Sequence, residues 1–257
     1  MKALVLAAGY ATRLRPLTDD TAKPLLELAG RPMLDYVCDR IDEAADVDEL
    51  HVISNARFAA GFERWALARE GRLRPLVHDD GTRLNEERLG AIADMQLVIE
   101  RAGLEGEDLL VVAGDNLFDF SLGTQVGFWR SRREINEGAA VSCVAVQRCP
   151  DAERVSLYGV VELSPEGRIT GFVEKPERPA SDLIATAAYV FAREHIALVD
   201  HYLEEGNSPD QPGNFLAWLY SREPVYGFVF EELWLDIGSP EQLRQADEIM
   251  RKRLGLV

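Results

Sequence analysis

Residues 3–18 read ALVLAAGYATRLRPLT, an apolar run that passes into a loop of small and polar residues. The run 3–8 is continuous and closes at Gly9, a pattern typical of a strand buried on both faces of a parallel sheet. The loop that follows contains the hydroxyl of Thr12 and the guanidinium of Arg13. Open parallel sheets bind ligands beyond the carboxyl ends of their strands, so this loop is predicted to lie at a ligand-binding edge.

The rest of the first half alternates between strand and helix patterns. We predict further strands at residues 50–53, 73–77 and 109–113, and helices at 33–41, 58–70 and 89–102. Strands that alternate with helices form parallel sheets whose crossover helices cover both faces. The predicted fold class is therefore α/β, with a doubly wound, mostly parallel, Rossmann-like sheet.

The second half is richer in closely spaced strand patterns. Predicted strands lie at 141–146, 158–163, 169–173 and 186–191, followed by helices at 195–204 and 214–220, a strand ending at 236, and a last helix capped by Ser239. Glu166 and Gly167 form the predicted hairpin turn between two of these strands. These strands predict a β-rich lobe added to the sheet. Because no linker or low-complexity tract separates the halves, residues 1–257 are predicted to form a single domain.

The charge of the chain restricts its classes of partner. Lys and Arg number 28 against 44 Asp and Glu, which gives a formal net charge of −16. A surface this acidic opposes binding to nucleic acid or to an anionic membrane, because both require clustered basic side chains. The three cysteines show no metal-binding spacing and are typical of a reducing compartment. The N-terminus shows no signal-peptide pattern, so we expect a cytoplasmic protein.

The loop after the first strand has the composition of a phosphate site. Residues 1–18 carry three basic side chains and no acidic one, and Lys23 follows ten residues after Arg13. Small residues let backbone N–H groups approach an anion, and a guanidinium can bind phosphate oxygens in bidentate fashion. The P-loop motif is absent, and the dinucleotide-binding motif fails because Ala11 and Leu14 stand where it needs glycine. From these residues alone, a phosphate-binding loop and an ordinary strand-to-helix connection both remain open.

A family resemblance rests on the same loop. Residues 6–18, with Lys23-Pro24 and residues 30–33, resemble the signature of the sugar-1-phosphate nucleotidyltransferases, most nearly the short glucose-1-phosphate thymidylyltransferase type. The sequence departs from it at Ala11, where the family usually has its second glycine. If this position needs a positive φ, the loop must differ locally. Further similarities follow in the family's order at residues 111–116, 158–161, 172–176, 186–191 and 234–240, so the resemblance covers nearly the whole chain.

The resemblance implies an enzyme that couples a nucleoside triphosphate, with dTTP or UTP favoured, to a sugar 1-phosphate and releases pyrophosphate. Arg13, Lys23 and Asp115 are the expected catalytic residues. Arg13 is expected to bind the β- and γ-phosphates and Lys23 the region nearer the α-phosphate, while Asp115 and Asp236 hold Mg²⁺. The attacking phosphate oxygen is already an anion, so the reaction needs alignment and charge neutralisation rather than a strong general base.

The resemblance also implies binding residues in each half of the chain. Residues 1–138 are expected to bind mainly the nucleotide, through Leu6, Ala8, Gly9, Thr12, Arg13, Lys23, Gly81, Thr82 and Gly114. Residues 139–257 are expected to bind mainly the sugar and to close the site, through Tyr158, Gly159, Glu174, Lys175, Ala187 and Tyr189. Lys175 is expected to bind the sugar phosphate and Glu174 the sugar hydroxyls. The base-recognition segment around Gly81-Thr82 matches the family poorly, so thymine, uracil and cytosine remain open.

Two other functions share parts of this pattern. A cytidylyltransferase acting on a non-sugar phosphate, of the choline, inositol or phosphonate type, would share the loop, Lys23 and Asp115. A regulatory nucleotide-binding subunit without turnover is a further alternative, although the basic and acidic site residues are all retained. A glycosyltransferase is not favoured, because no D-x-D triplet occurs at Asp115. By resemblance we expect a homo-oligomer, and we expect no C-terminal β-helix or acyltransferase domain after Met250.

Overall fold

A nine-stranded sheet runs through the computed structural model, which describes residues 1–256. Its strands are β1 (Lys2–Leu6), β4 (Glu49–Ser54), β5 (Pro75–Asp79), β6 (Leu109–Ala113), β8 (Ser142–Arg148), β9 (Gly159–Leu163), β10 (Ile169–Glu174), β11 (Leu183–Phe191) and β12 (Val225–Val229). Two small sheets pair β2 (Glu27–Leu28) with β3 (Arg31–Pro32), and β7 (Asn116–Phe118) with β13 (Trp234–Asp236). The helices are α1 (Met33–Glu43), α2 (Ala59–Ala68), α3 (Ala91–Ala102), α4 (Leu122–Ile135), α5 (Arg193–Ile196), α6 (Val199–Glu204), α7 (Pro212–Leu219) and α8 (Pro240–Arg253). Within residues 1–256, no helix has the length and apolar character needed to cross a membrane.

The strand order creates a crevice at the end of β1. The strands β5, β4, β1 and β6 lie in that order and run parallel. Leu6, at the end of β1, lies opposite Ile53 of β4 on one side and Ala113 of β6 on the other. The chain leaves β1 towards β4 and later returns to β6 on the opposite side. At such a reversal the loops diverge, which opens a crevice beyond the carboxyl ends of β1 and β6.

The strands of the second half continue the same sheet. β11 pairs antiparallel with β6, β8 pairs antiparallel with β11, and β12 runs parallel to β8. β9 also joins β11, and β10 completes a hairpin with β9 through a turn that contains Gly167 at φ 83°. The predicted fold class is confirmed: an α/β sheet with parallel first-half strands carries a β-rich addition, which is hydrogen-bonded directly to the central sheet.

Helices cover both faces of the sheet. Successive side chains of β1 point to opposite faces, so an apolar run here places apolar side chains on both. Ala3 and Val5 pack in one buried cluster with side chains of α1, α2 and α4. Leu4, on the other face, packs in a second cluster with side chains of α3, α6 and α7. All three side chains are fully buried. The apolar run of β1 is therefore buried on both faces, as its pattern predicts.

The sequence patterns do not predict five of these elements: α4, β2, β3, β7 and β12. The signal for α4 is present, since Leu122, Val126 and Trp129 have helical spacing. Ser121 caps this helix by accepting a 3.2 Å hydrogen bond from the Thr124 N–H. β7 and β12 are short and pair with distant parts of the chain, β13 and β8, which local patterns do not reveal. β5 also begins later than predicted, at residue 75.

The small sheet of β7 and β13 joins distant parts of the chain beside the crevice. In it, Asn116 lies opposite Asp236. Leu117 of β7 and Ile237 share a buried cluster with Met250 of α8. The last helix therefore packs over this sheet and holds it against the body of the protein.

Ala11, in the loop after β1, has the left-handed backbone conformation, with φ 46° and ψ 44°. Its carbonyl accepts hydrogen bonds from the Leu14 N–H at 2.9 Å and from the Thr18 hydroxyl at 3.0 Å. The Cβ of alanine makes this conformation unfavourable by about 1–2 kcal/mol. The loop thus has the positive φ for which glycine is suited, and Ala11 adopts it at a cost in stability.

Ala11→Gly is expected to raise the free energy of unfolding by about 0.5–1 kcal/mol, because relief of the left-handed strain exceeds the additional entropy that glycine loses on folding. Ala60→Gly, on the exposed side of α2, is the matched control. It should lower the free energy of unfolding by about 0.5–1 kcal/mol. Urea titrations of the parent chain and both variants measure the two changes. A similar loss of stability in both variants would contradict the strain assignment.

Candidate active site

Two adjoining cavities open beyond the carboxyl ends of β1 and β6. The inner cavity, of about 300 Å³, lies between the loop after β1 and the first turn of α3. The outer cavity, of about 920 Å³, lies between the same loop, the start of β9, the end of β10 and the start of α7. Gly9, Arg13, Asp115 and Ala187 line both cavities. The two cavities therefore form one cleft with two compartments.

Most of the predicted site residues line this cleft. The inner cavity is lined by Leu6, Ala8, Gly9, Arg13, Lys23, Asp115 and Ala187 among the predicted residues. The outer cavity is lined by Gly9, Arg13, Asp115, Tyr158, Gly159, Glu174, Lys175, Ala187, Tyr189 and Asp236. Residues expected at the nucleotide lie mainly in the inner compartment, and those expected at the sugar lie mainly in the outer one.

Asp115 and Asp236 come together although they are far apart in the sequence. Asp115 lies in the turn between β6 and β7, and Asp236 ends β13 opposite Asn116. Burial raises the pKa of Asp236, and the negative charge of Asp115 raises it further. Like charges that raise one another's pKa are stabilised when a cation binds beside them. This part of the cleft therefore has the electrostatics of a cation site.

Lys23 supplies one positive charge to the carboxylate pair. Its side chain is buried, and its Nζ lies 2.7 Å from Oδ2 of Asp115. The Asn116 side-chain amide donates to Oδ1 of Asp115 at 2.9 Å. Burial alone would raise the pKa of Asp115, but the Lys23 charge and these two hydrogen bonds hold it below its ordinary value. Asp115 is therefore a stable anion at neutral pH.

Arg13 is exposed where the two cavities meet. Its guanidinium lies against Gly238, since a Cβ added at Gly238 would be 3.6 Å from Nη2 of Arg13. Its positive charge acts on Asp236 and opposes the rise in the pKa of that carboxyl. A guanidinium in this position can bind an anion that enters either compartment.

The outer cavity carries a carboxylate and an ammonium on adjacent residues. The Lys175 Nζ donates to the Gln211 side-chain oxygen at 2.6 Å. The Glu174 carboxylate is half-buried, and burial raises its pKa. Added Cβ atoms at Gly159 and Gly213 would lie 2.9 and 2.0 Å from Oε2 of Glu174. Glycine at both positions is therefore what leaves room for this carboxylate at the wall of the cleft.

Two predicted loop residues do not line either cavity, Thr12 and Gly114. Thr12 is exposed and opens the short turn after Ala11. Gly114 is buried, and its N–H donates to the Leu6 carbonyl at 2.9 Å. A Cβ at Gly114 would lie only 2.9 Å from Cγ1 of Val5. Gly114 therefore fixes the turn that presents Asp115 instead of contacting the cleft itself.

Gly81 and Thr82, expected at the base, also lie outside the lining of the inner cavity. Thr82 is buried, and its hydroxyl lies 2.8 Å from both the Tyr10 hydroxyl and a carboxylate oxygen of Asp80. A short helical turn at Asn85–Glu87 then carries the chain on to α3. The wall of the inner cavity is formed instead by the start of α3, at Gly90, Ala91 and Asp94.

Gly90, Asp94 and Arg154 line the cleft but were not among the sequence candidates. Gly90 has φ 97° and ψ 151°, and a Cβ there would lie 2.6 Å from the Pro209 carbonyl oxygen. Asp94, in the first turn of α3, is 6% exposed and lines the inner cavity. Arg154 lines the outer cavity and donates to the Tyr158 hydroxyl at 2.8 Å. Only Gly90 had a usable signal, as a glycine directly before a helical pattern.

Comparison with known proteins finds relatives that match over nearly the whole chain. The sequence of UTP–glucose-1-phosphate uridylyltransferase AglF from Haloferax volcanii is 29% identical over 258 residues, which cover 98% of this chain and 97% of that protein. UTP–glucose-1-phosphate uridylyltransferase from Synechocystis sp. is 29% identical over 261 residues, 96% of this chain but 62% of the relative. The crystal structure of a UDP-glucose pyrophosphorylase complexed with UDP-glucose superposes with a TM-score of 0.80 at 20% identity, covering 98% of each chain. This last likeness concerns the fold alone.

The family is shown by a match along almost the full sequence. The profile of the family described as Nucleotidyl transferase matches residues 2–253. The match includes every residue of the two cavities, from the loop after β1 to the start of α8. The chain therefore belongs to the nucleotidyl transferase family, as the resemblance of its first loop indicates.

Proposed function

We propose that the chain transfers a nucleotidyl group from a nucleoside triphosphate to a sugar 1-phosphate, giving a nucleoside diphosphate sugar and pyrophosphate. The observation that carries this proposal is the meeting of Asp115, Asp236, Lys23 and Arg13 at the junction of two compartments. Two compartments can hold two substrates, and these four charged side chains lie where the phosphates of the two substrates would meet. Family membership and the names of the uridylyltransferase relatives support the same reaction.

The reaction requires alignment and charge neutralisation. An oxygen of the sugar phosphate attacks the α-phosphorus, and the bond from that phosphorus to the bridging oxygen of the β-phosphate breaks, which releases pyrophosphate. The attacking oxygen is already ionised, so no residue needs to remove a proton. Arg13, exposed at the junction, neutralises the β- and γ-phosphates, and the buried Lys23 adds positive charge nearer the α-phosphate.

The outer compartment is proposed to hold the sugar phosphate. Lys175 provides the positive charge and Glu174 a hydrogen-bond acceptor for sugar hydroxyls, while Tyr158 and Tyr189 form part of the wall. We propose accordingly that residues 1–138 bind mainly the nucleotide and residues 139–257 mainly the sugar, within a single domain. Self-association and a cytoplasmic location remain predictions from the sequence.

A magnesium ion fits the Asp115–Asp236 pair. Within residues 1–256, no group of three or more His, Cys, Asp or Glu side chains could hold a metal ion by itself. Mg²⁺ is usually bound by one or two carboxylates together with substrate phosphates, and a pair of repelling carboxylates matches that need. When bound, the ion would neutralise developing charge on the phosphates.

A pyrophosphate-release screen tests the proposed function. Five nucleoside triphosphates (UTP, dTTP, CTP, GTP and ATP) are combined with glucose 1-phosphate, other sugar 1-phosphates, choline phosphate and inositol phosphate. We expect release with UTP or dTTP and at least one sugar 1-phosphate. Turnover only with CTP and a non-sugar phosphate would favour the cytidylyltransferase. Triphosphate binding without release in any combination would favour the regulatory subunit.

Asp115→Asn is expected to lower kcat for pyrophosphate release by about 100-fold or more while the chain stays folded, because one of the two anionic groups is lost. Chelation by EDTA should abolish release by the parent chain, and excess Mg²⁺ should restore it. Asp200→Asn, an exposed carboxylate on α6, is the control and should keep the parental rate. Circular dichroism checks the fold. Unchanged turnover in Asp115→Asn would overturn the metal assignment.

Lys175→Ala is expected to raise KM for the sugar 1-phosphate by about tenfold or more, because a charge-assisted hydrogen bond to the phosphate is lost. KM for the triphosphate should stay close to the parental value. Lys252→Ala, on the exposed side of α8, is the control. Steady-state kinetics with each substrate varied in turn provide the measurement. A rise confined to KM for the triphosphate would show that the roles of the two compartments are misassigned.

A further inference from the structure

Asp94 is a buried carboxyl group that the reaction described above does not use. It lies in the first turn of α3, and its own N–H donates to the Gly90 carbonyl at 2.8 Å. The side chain is 6% exposed and lines the inner cavity. Its Oδ1 is buried and has no hydrogen-bond partner within residues 1–256. A buried acceptor of this kind costs stability unless a ligand satisfies it.

The position of Asp94 is not explained by capping of α3. The first two N–H groups of the helix are already bonded, from Ala91 to the Asp210 carbonyl at 3.1 Å and from Ile92 to the Pro209 carbonyl at 2.8 Å. Gly90 makes this closure possible, because any Cβ there would collide with the 209–210 backbone. Asp94 is thus left facing the cavity without a partner at the helix terminus.

The surroundings of Asp94 favour a neutral carboxyl group. Burial and, to a smaller extent, the negative charge of Asp80 together raise the pKa of Asp94 to about 7. Asp80 itself is satisfied, since it accepts from the Thr82 N–H at 2.7 Å and lies 2.8 Å from the Thr82 hydroxyl. A neutral carboxyl presents a donor O–H beside an acceptor C=O. This pair is complementary to any ligand edge on which an N–H stands beside a carbonyl.

We infer that Asp94 reads the nucleobase, by exchanging two hydrogen bonds with the imide edge of uracil or thymine in the inner cavity. Its O–H donates to a base carbonyl, and its C=O accepts from the N3–H of the base. The inner cavity, of about 300 Å³, is within the size range of small-ligand sites. This inference rests on the proposed function and adds to it a residue that determines the choice of nucleoside triphosphate.

The test compares UTP with N3-methyl-UTP, which lacks the N3–H. For the parent chain, kcat/KM measured by pyrophosphate release should fall by about 10- to 100-fold with the methylated analogue. In Asp94→Ala, kcat/KM for UTP should fall by a similar factor, and the preference for UTP over the analogue should nearly disappear. Asp94→Asn keeps one donor and one acceptor, so it should retain most of the parental value and the preference. Glu100→Gln, exposed near the end of α3, is the matched control.

The outcomes separate this inference from the proposed function. If the parent chain releases no pyrophosphate with any of the triphosphates, the proposed function itself is wrong. If the parent chain uses UTP and N3-methyl-UTP with equal kcat/KM, the inference about Asp94 is wrong while the proposed function stands. This comparison uses the parent chain only, so it does not depend on the folding of any variant. If Asp94→Ala weakens both substrates equally, the residue has a structural role only. If Asp94→Asn is as impaired as Asp94→Ala, or if only CTP or GTP depends on Asp94, the imide assignment is wrong. UTP and dTTP assayed in parallel distinguish the two bases.

Discussion

Two carboxylates that repel each other, Asp115 and Asp236, are held together at the carboxyl edge of the sheet by the pairing of β7 with β13. Such a pair is unfavourable unless positive charge balances it, and the fold supplies Lys23 at 2.7 Å from Asp115. The proposed magnesium ion would supply the further positive charge that the pair needs. The packing of α8 over β7 and β13 keeps the carboxylates from separating. Tertiary structure at this small sheet therefore sets the electrostatics of the cleft.

The overall charge of −16 opposes the approach of polyanionic substrates, so binding depends on local charges. Arg13, Lys23, Arg154 and Lys175 line the cleft, and the charges of the first three oppose the rise in the pKa of Asp236. Only four lysines occur in the chain, and two of them are here. Salt screens distant charges more strongly than near ones. At physiological ionic strength, the repulsion of the substrates by the acidic surface is therefore weakened, while their attraction to the basic side chains of the cleft persists at contact distance. The excess of acidic residues is therefore compatible with phosphate substrates.

Sequence patterns reveal the parts of the site that are built from contiguous residues. The loop after β1 can be predicted because the apolar run, Gly9 and Arg13 lie within one short segment of sequence. The pairing of β7 with β13 cannot be predicted from local patterns, since each strand has three residues and its partner lies in the other half of the chain. The sequence does not show which segment forms the wall of the inner cavity, because that wall also depends on a contact between distant residues. Gly81 and Gly90 both follow β5 before α3, and only the contact of Gly90 with Pro209 shows which of them closes the cavity.

Backbone strain is concentrated in the same cleft. Of five non-glycine residues with positive φ in residues 1–256, three line it: Ala11 at 46°, Lys175 at 47° and Ala187 at 55°. Each such conformation costs about 1–3 kcal/mol and persists only where the surrounding structure imposes it. The Lys175 N–H is bonded to the Tyr158 carbonyl at 3.1 Å, and Ala187 lies where β11 shifts register against β8. The stability of the sheet thus holds the walls of the cleft in shape before any substrate binds, which reduces the ordering that binding would otherwise require.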